Sequence, residues 1–368
     1  MIASASHRSR SFTRRAALCT TLAAACSLVP IFCSAAELTH VTLVQMHPAI
    51  GVGEEVFMYA VPKALGYFAK EGLDVAIEGV SGGGPAAQAL QSGQAEFATT
   101  MPESILQLRE RGGDPIAIYT LKQNTGSIML VAADSPVHVF ADLKGKTIGA
   151  ASFGAGGGLA VKEYLAQIGI APGQYSAVST GVNAASFTAL QSHQLDALVV
   201  WDGMRGAAEN TGMPLRVLEI PDQDKIAAMT FATTERFIHD HKNLVGGMCR
   251  AIAKGLHFAL ANTHAAIRLF WQEFPTAKPA SVDPAVAMHD QAHIMDRWFE
   301  SSEQGVPPGH ETGAMRPDSW ELTRKIYIKA GALKGTVPAS QGYTSEFINS
   351  CNDYDHAAVE AQAASMPR

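Results

Sequence analysis

The sequence predicts an α/β protein made of two similar lobes, and three observations carry that prediction. Val75 and Ile77 alternate with Ala76 and Glu78 as in a strand. Gly79-Val-Ser-Gly-Gly-Gly84 then opens a run of helix formers behind Pro85. Gly93 stops that helix at a left-handed position, and Ala95 to Thr99 returns as a strand. A second loop of the same kind, Ser152-Phe-Gly-Ala-Gly-Gly-Gly158, follows the strand Thr147 to Ala150. It opens a helix with Val161, Tyr164, Leu165 and Ile168 on one face. The chain also repeats itself. Ala89-Leu-Gln-Ser-Gly-Gln-Ala-Glu96 returns as Ala189-Leu-Gln-Ser-His-Gln-Leu-Asp196, and Tyr67-Phe-Ala-Lys-Glu-Gly-Leu73 returns as Tyr164-Leu-Ala-Gln-Ile-Gly-Ile170. The interval is far longer than a solenoid repeat, so a whole lobe is duplicated.

The elements follow in order. Arg8, Arg10, Arg14 and Arg15 precede an apolar run from Ala16 to Phe32, and Ser34-Ala35-Ala36 supplies small residues for cleavage. Residues 1–36 therefore read as a secretory signal peptide, and Thr13-Arg14-Arg15-Ala16-Ala17-Leu18 leaves the twin-arginine and general secretory routes both open. Cys26 and Cys33 lack a clean lipobox. No other segment reads as a membrane span. Val41 to Met46 is the first strand, and His47 to Gly53 is a loop. Glu54 to Glu71 reads as an amphipathic helix with acids in its first turn. With the glycine-loop unit this makes β-α-β-α-β, which predicts parallel pairing and right-handed crossovers. Pro102 to Arg111 is a helix, and Ile116 to Leu121 and Ile128 to Ala132 are strands. After Met229 the glycine-loop pattern stops. Helices are predicted over Asn243 to Asn262, Ala265 to Glu273, Asp283 to Ser301 and Pro317 to Ala330, packed on the first lobe. The chain then crosses between lobes twice, near Gln123 to Ser127 and near Met229 to Thr233, where hinges are expected. The expected division is 37–124 with 232–368 as lobe 1 and 125–231 as lobe 2.

Composition narrows the function. The 368 residues carry a formal charge of −6, and removal of residues 1–36 takes away four arginines and no acid, leaving −10. No run of Lys or Arg forms the basic patch that nucleic acid requires. Cys249 and Cys351 are the cysteines beyond the leader, and both a disulfide and two separate thiols remain open.

The candidate site lies where ligands of open α/β sheets lie, at the carboxyl ends of strands. Each glycine loop ends at a helix N-terminus, whose free N–H groups and positive dipole suit a small polar or anionic group. The predicted ligand contacts are Met46, His47, Ser81, Gly82, Gly83, Thr100, Met101, Gln123, Ser152, Phe153, Gly154, Ala155, Trp201 and Asp202. Trp201 offers a stacking face and Asp202 a hydrogen-bond acceptor, against the plainer alternative of a core Trp and a helix cap. No Arg or Lys falls in the predicted contact loops. Three sharper motifs are weaker. Gly79-Val-Ser-Gly-Gly83 matches the nucleophile-elbow pattern, yet no HGGG-like segment precedes it. Gly154-Ala-Gly156 lacks the third glycine of a dinucleotide fingerprint. His289-Asp-Gln-Ala-His293 has zincin-like spacing with Asp in place of the base Glu, and a solvated helix face explains it more simply. No metal or cofactor is expected.

These residues resemble the periplasmic solute-binding proteins of ABC importers, in the branch that takes aliphatic sulfonates, taurine, nitrate and thiamine pyrimidines. The resemblance covers residues 40–350. It rests on Ala64-Leu-Gly-Tyr-Phe-Ala-Lys-Glu-Gly-Leu-Asp-Val75, Ala89-Leu-Gln-Ser-Gly-Gln94, Asp142-Leu-Lys-Gly-Lys-Thr-Ile-Gly149, Ala189-Leu-Gln-Ser192 with Asp196-Ala197, and Trp201-Asp202. It implies a two-lobed periplasmic-binding-protein fold of type II, a monomer that closes on a small solute in the cleft and then meets an inner-membrane permease. The solute is a sulfonate- or carboxylate-like anion or a pyrimidine-like heterocycle. The cysteine-rich segment of the eukaryotic pyrimidine synthases in this group is missing, which argues against an enzyme of that kind. His193 stands where the pattern has the helix-stopping glycine. The alternatives are a secreted serine hydrolase using Ser81 and a ligand-binding sensor subunit without a transporter.

Overall fold

Two mixed five-stranded sheets organise the chain. The computed structural model describes residues 37–51, 53–181, 183–303 and 311–367; the predicted leader lies outside these residues. The first sheet has strand order β2-β1-β3-β10-β4, from β1 (Thr39–Gln45), β2 (Leu73–Gly79), β3 (Phe97–Thr100), β4 (Pro115–Thr120) and β10 (Thr230–Thr234). The second has order β7-β6-β8-β5-β9, from β5 (Ser127–Ala132), β6 (Thr147–Ala150), β7 (Ser176–Ser179), β8 (Ala197–Trp201) and β9 (Leu215–Glu219). The orders are equivalent position by position. β1 pairs in parallel with β2 and β3, and β6 pairs in parallel with β7 and β8. In each sheet the fourth strand runs antiparallel and arrives from the far side of a crossing: β10 lies between β3 and β4, and β5 lies between β8 and β9. The parallel units were legible from the glycine loops. β5 was legible as a strand at Ile128 to Ala132, but its antiparallel insertion, the strand β10 and the strand β9 were not, because short apolar strands carry no direction.

The two crossings lie side by side. Leu121 and Lys122 both donate their backbone N–H to the Met229 carbonyl, at 2.9 and 3.2 Å. The return segment enters the first sheet at Thr230. Most of the expected hinge at Met229 to Thr233 is therefore strand, and the free length of the return lies between Glu219 and Thr230.

Three local expectations need correction. The predicted helix Glu54 to Glu71 is broken. A π turn at Val56–Ala60 continues into Val61–Ala64, Gly66 turns left-handed with φ 69°, and Tyr67–Lys70 is a separate turn. Pro62, which has no N–H to donate, sits just after the π turn. Helix Pro284–Glu303 does not pack on the first lobe alone; it also lies against Asp202–Asn210, the helix that follows β8. Gly206 makes the approach possible, since a Cβ there would come within 3.0 Å of Ile294 Cα. Glu209 then pairs with His293 at 2.7 Å and Arg297 at 2.8 Å. Finally, Glu235–Ala261 is long and apolar enough to cross a membrane, by length and composition. It is a core helix here, with Val245, Met248, Ala251, Ile252 and Phe258 buried in the first lobe's main cluster. Gly255 lets it settle onto the broken helix, because a Cβ at that position would lie 2.0 Å from the Phe57 carbonyl oxygen. A disulfide joins Cys249 of this helix to Cys351, with 5.0 Å between the Cα atoms, which closes the question left open by the sequence.

The repeated helix stops are conformationally alike. Gly93 has φ 75° and His193 has φ 57°, so the histidine holds the left-handed turn that glycine holds in the other lobe. An L side chain there costs about 1 kcal/mol. His193→Gly is therefore expected to stabilise the protein by about 0.5–1 kcal/mol in urea unfolding.

Candidate functional site

The site is assembled from the ends of β1, β2, β3 and β8. On the first lobe, the Ser81 loop is fixed by backbone bonds: Gly82 donates to the Met46 carbonyl at 2.9 Å, and Thr100 Oγ1 donates to the Gly83 carbonyl at 2.8 Å. Met46 is itself held by Thr99, whose Oγ1 accepts its N–H at 3.1 Å. The glycines divide into two groups. Gly79, Gly83 and Gly158 admit the chain's own atoms; a Cβ would lie 2.5 Å from the His47 carbonyl oxygen at Gly79 and 1.9 Å from the Ser152 carbonyl oxygen at Gly158. Gly82, Gly84 and Gly156 face open space, and Gly82 and Gly156 need positive φ of 104° and 56°. This second group leaves open space beside the backbone, although the Gly82 and Gly156 N–H groups are themselves used within the chain.

The predicted residues do not all converge. His47 faces Trp201 across the lobes, ring centroids 6.3 Å apart and planes 25° from parallel. Asp202 is buried beside Trp201, and it both accepts from the Gly203 N–H at 2.7 Å and pairs with Lys122. Ser81, Ser152, Gly154 and Ala155 are exposed. Met101 is half-buried against the first-lobe core. Phe153 is half-buried against the second-lobe core, Thr100 is buried as an anchor for Gly83, and Gln123 donates from Nε2 to the Ala314 carbonyl at 2.9 Å.

Residues outside that set supply the charge. Glu54 and Glu55 begin the broken helix and are 3 % exposed. Glu54 Oε1 lies 3.2 Å from His47 Nε2. Lys122, on the outgoing crossing and 4 % exposed, pairs with Asp202, and its ammonium sits 5.0 Å from the centre of the Trp298 ring. Gly126 packs on this pair, with φ 59° and its Cβ position 2.6 Å from Asp202 Oδ2. A second polar link spans the lobes. Gly156 donates its N–H to Tyr327 Oη at 3.1 Å, and Tyr327 donates in turn to Glu103 Oε1 at 2.9 Å. Glu54, Glu55 and Glu103 sit in first turns of helices, where sequence reads an acid as a dipole partner, and Lys122 sits one residue outside the predicted set.

Proximity shifts these groups. Burial pushes His47 down, but the hydrogen bond and charge of Glu54 outweigh it and hold the imidazole at about 9. Burial followed by the Glu54 charge raises Glu55 to about 8. Burial would raise Glu54, yet His47 keeps it below the ordinary carboxylate value. Burial raises Asp202 against the opposing pull of Lys122, and burial likewise raises Glu103.

The fold is the two-lobed periplasmic-binding-protein fold. The aliphatic sulphonate binding protein SsuA of Escherichia coli matches with a TM-score of 0.64 at 14% identity, over 82% of this chain and 91% of that one. SsuA of Xanthomonas axonopodis pv. citri, bound to MOPS, matches with a TM-score of 0.60 at 16% identity, over 84% and 99%. The nitrate-binding protein NrtA of Synechocystis PCC 6803 matches with a TM-score of 0.56 at 14% identity, over 90% of both chains. A family model described as NMT1/THI5 like matches residues 55–266, more than half of the sequence. The chain belongs to the NMT1/THI5-like family. No curated protein matches it in sequence.

Two predictions follow from the charges. Lys122→Met leaves Asp202 buried without its cation and is expected to cost about 3 kcal/mol in urea unfolding, much of it restored by adding Asp202→Leu. The proton linkage is also directional. Glu55 holds its proton from its ordinary 4.5 up to about 8, and this disfavours the fold as pH rises through that range. The stabilisation from His47 is complete below 6.5 and lost as pH passes about 9. The melting temperature is therefore expected to fall between pH 6.5 and 9, and His47→Gln should flatten that fall.

Proposed function

We propose that the protein is the periplasmic solute-binding subunit of an ABC-type importer, exported by way of its N-terminal leader. It captures a small organic solute between the lobes and presents the closed form to an inner-membrane permease. The observation that carries this reading is the pairing of one wall on the first sheet with another on the second. His47 meets Trp201, and Gly156 meets Tyr327, while the two crossings run hydrogen-bonded side by side. Such an arrangement lets two rigid lobes rotate about a short, paired hinge, and a solute that contacts both walls shifts the population toward closure. The family and the structural relatives named for sulfonate and nitrate binding support it. A rotation axis near these crossings agrees with the expected boundary at residues 124–125, whereas the expected boundary at 231–232 falls within β10, so bending on the return belongs ahead of Thr230.

Binding is favoured over hydrolysis by the surroundings of Ser81. Its side chain is exposed, and among the described residues no histidine is hydrogen-bonded to it. Nucleophilic serine chemistry needs a base within hydrogen-bond reach.

A thermal-shift screen of sulfonates, carboxylates, nitrate and pyrimidines tests the proposal, because a ligand that binds only the folded state raises its melting temperature. At about 100 times Kd the expected gain is about 2.7 kcal/mol. Ser81→Ala is expected to retain solute binding, and ester turnover that disappears with Ser81 would instead establish the hydrolase.

A further inference from the structure

We propose that the groove between helices Thr263–Glu273 and Pro284–Glu303 is a second ligand site, for an organic anion with an apolar body and one carboxylate. The proposal goes beyond the function proposed above and does not depend on it. The open space there has a volume of about 590 Å³, within the range of small-molecule sites. One helix contributes His264, Arg268 and Trp271, spaced by four and three residues so that they share a face. The other contributes apolar surface from Ala285, Met288 and Ala292, and polar groups from His289, His293 and Asp296. Trp271 and Met288 are only partly covered where they pack on the first-lobe core, and the short side chains of Ala285 and Ala292 leave the space open. None of these residues belongs to the walls that carry His47 and Trp201. The groove is a separate place.

The lining selects charge as well as shape. His264, Arg268, His289 and His293 can each donate to an anion, against the single carboxylate of Asp296. Arg268 also donates to the Pro367 carbonyl at 2.6 Å, which holds its guanidinium in place. Among the described residues His264 has no hydrogen-bond partner. His289 and His293 each use one ring nitrogen, toward Asp290 at 3.3 Å and Glu209 at 2.7 Å. Lys278 brings an ammonium to 5.3 Å from the centre of the Trp271 ring. These donors are gathered in a chain whose formal charge beyond the leader is −10, so the groove is a local exception. The Trp271 N–H is committed to Gln291 Oε1 at 2.6 Å, so its ring meets an occupant through apolar surface. His289 and His293 are also the pair whose spacing resembles a zincin helix. No group of three metal ligands forms among the described residues, so the two imidazoles are left for hydrogen bonding. Through Glu209, His293 places an occupant within one side chain of the contact between the lobes.

The test titrates the mature protein by calorimetry with 2-naphthoate and with 2-naphthalenemethanol, which has the same rings without the charge. Naphthoate is expected to bind with a Kd of about 1 mM, ordinary for a fragment of its size, and the alcohol about tenfold more weakly. Arg268→Gln should weaken naphthoate binding about fivefold, as expected for a lost charge-assisted hydrogen bond. Ala285→Trp, at an exposed position where the indole would fill the groove, should abolish it, and this variant decides the matter if Arg268→Gln does not fold. Trp201→Ala, in the cleft, should leave naphthoate binding unchanged. Binding that survives Ala285→Trp, or that is lost with Trp201→Ala, places the probe elsewhere and overturns the proposal. Equal binding of the alcohol, or no binding of naphthoate, overturns it as well. The broader solute screen decides separately whether the cleft binds a solute.

Discussion

The arrangement depends on keeping opposite charges together out of water where the lobes meet. Lys122 lies on a crossing, Asp202 begins a helix of the second lobe, and Glu54 begins a helix of the first. Desolvating any one of them alone would cost several kcal/mol, so each is tolerable only with its partner in place. That requirement couples the hinge to both walls. The Lys122–Asp202 pair presses on Gly126, which must be glycine both for its φ and for the space beside the carboxylate. His47 then joins the set through Glu54 and reaches across to Trp201. Buried pairs of this kind are poor sources of stability. What they supply here is registry between two bodies whose main apolar clusters are distinct and meet at Leu159, a second-lobe residue packed with the first lobe.

The duplicated lobe explains how the walls come to face one another. Both sheets place a parallel three-strand unit beside an antiparallel strand that belongs, by connectivity, to the other side of a crossing. This exchange ties the lobes through paired backbone and leaves only short segments free to bend. The C-terminal helices add a second tie. Pro284–Glu303 touches Asp202–Asn210, and Tyr327 links Glu103 to Gly156. Movement between lobes must break or carry these contacts, the polar ones at Glu209 and Tyr327 as well as the close packing of Gly206 on Ile294.

Much of the architecture was legible because it is local or repeated. The glycine loops, the phrase shared by Ala89–Glu96 and Ala189–Asp196, and the strand ends at Thr100 and Trp201 mark both walls without any tertiary information. His193 shows the strength of the repeat, since it adopts the left-handed turn of Gly93 despite its side chain. The charged floor was not legible. Glu54 and Glu55 in a first turn have the same sequence signature whether they face solvent or a cleft, and Lys122 has no periodic pattern around it. Nor does sequence separate a glycine that faces open space from one that admits the chain's own carbonyl, which is the difference between Gly84 and Gly158. Such distinctions depend on distances between segments far apart in the chain.

The most direct test of this account measures the distance between the lobes. Spin labels at the exposed, equivalent positions Gln88 and Thr188 report it by pulsed electron resonance, in the otherwise unaltered protein and with Asp202→Asn. The account predicts a narrow distribution that lengthens and broadens when Asp202 no longer pairs with Lys122. An identical narrow distribution in both proteins would contradict it.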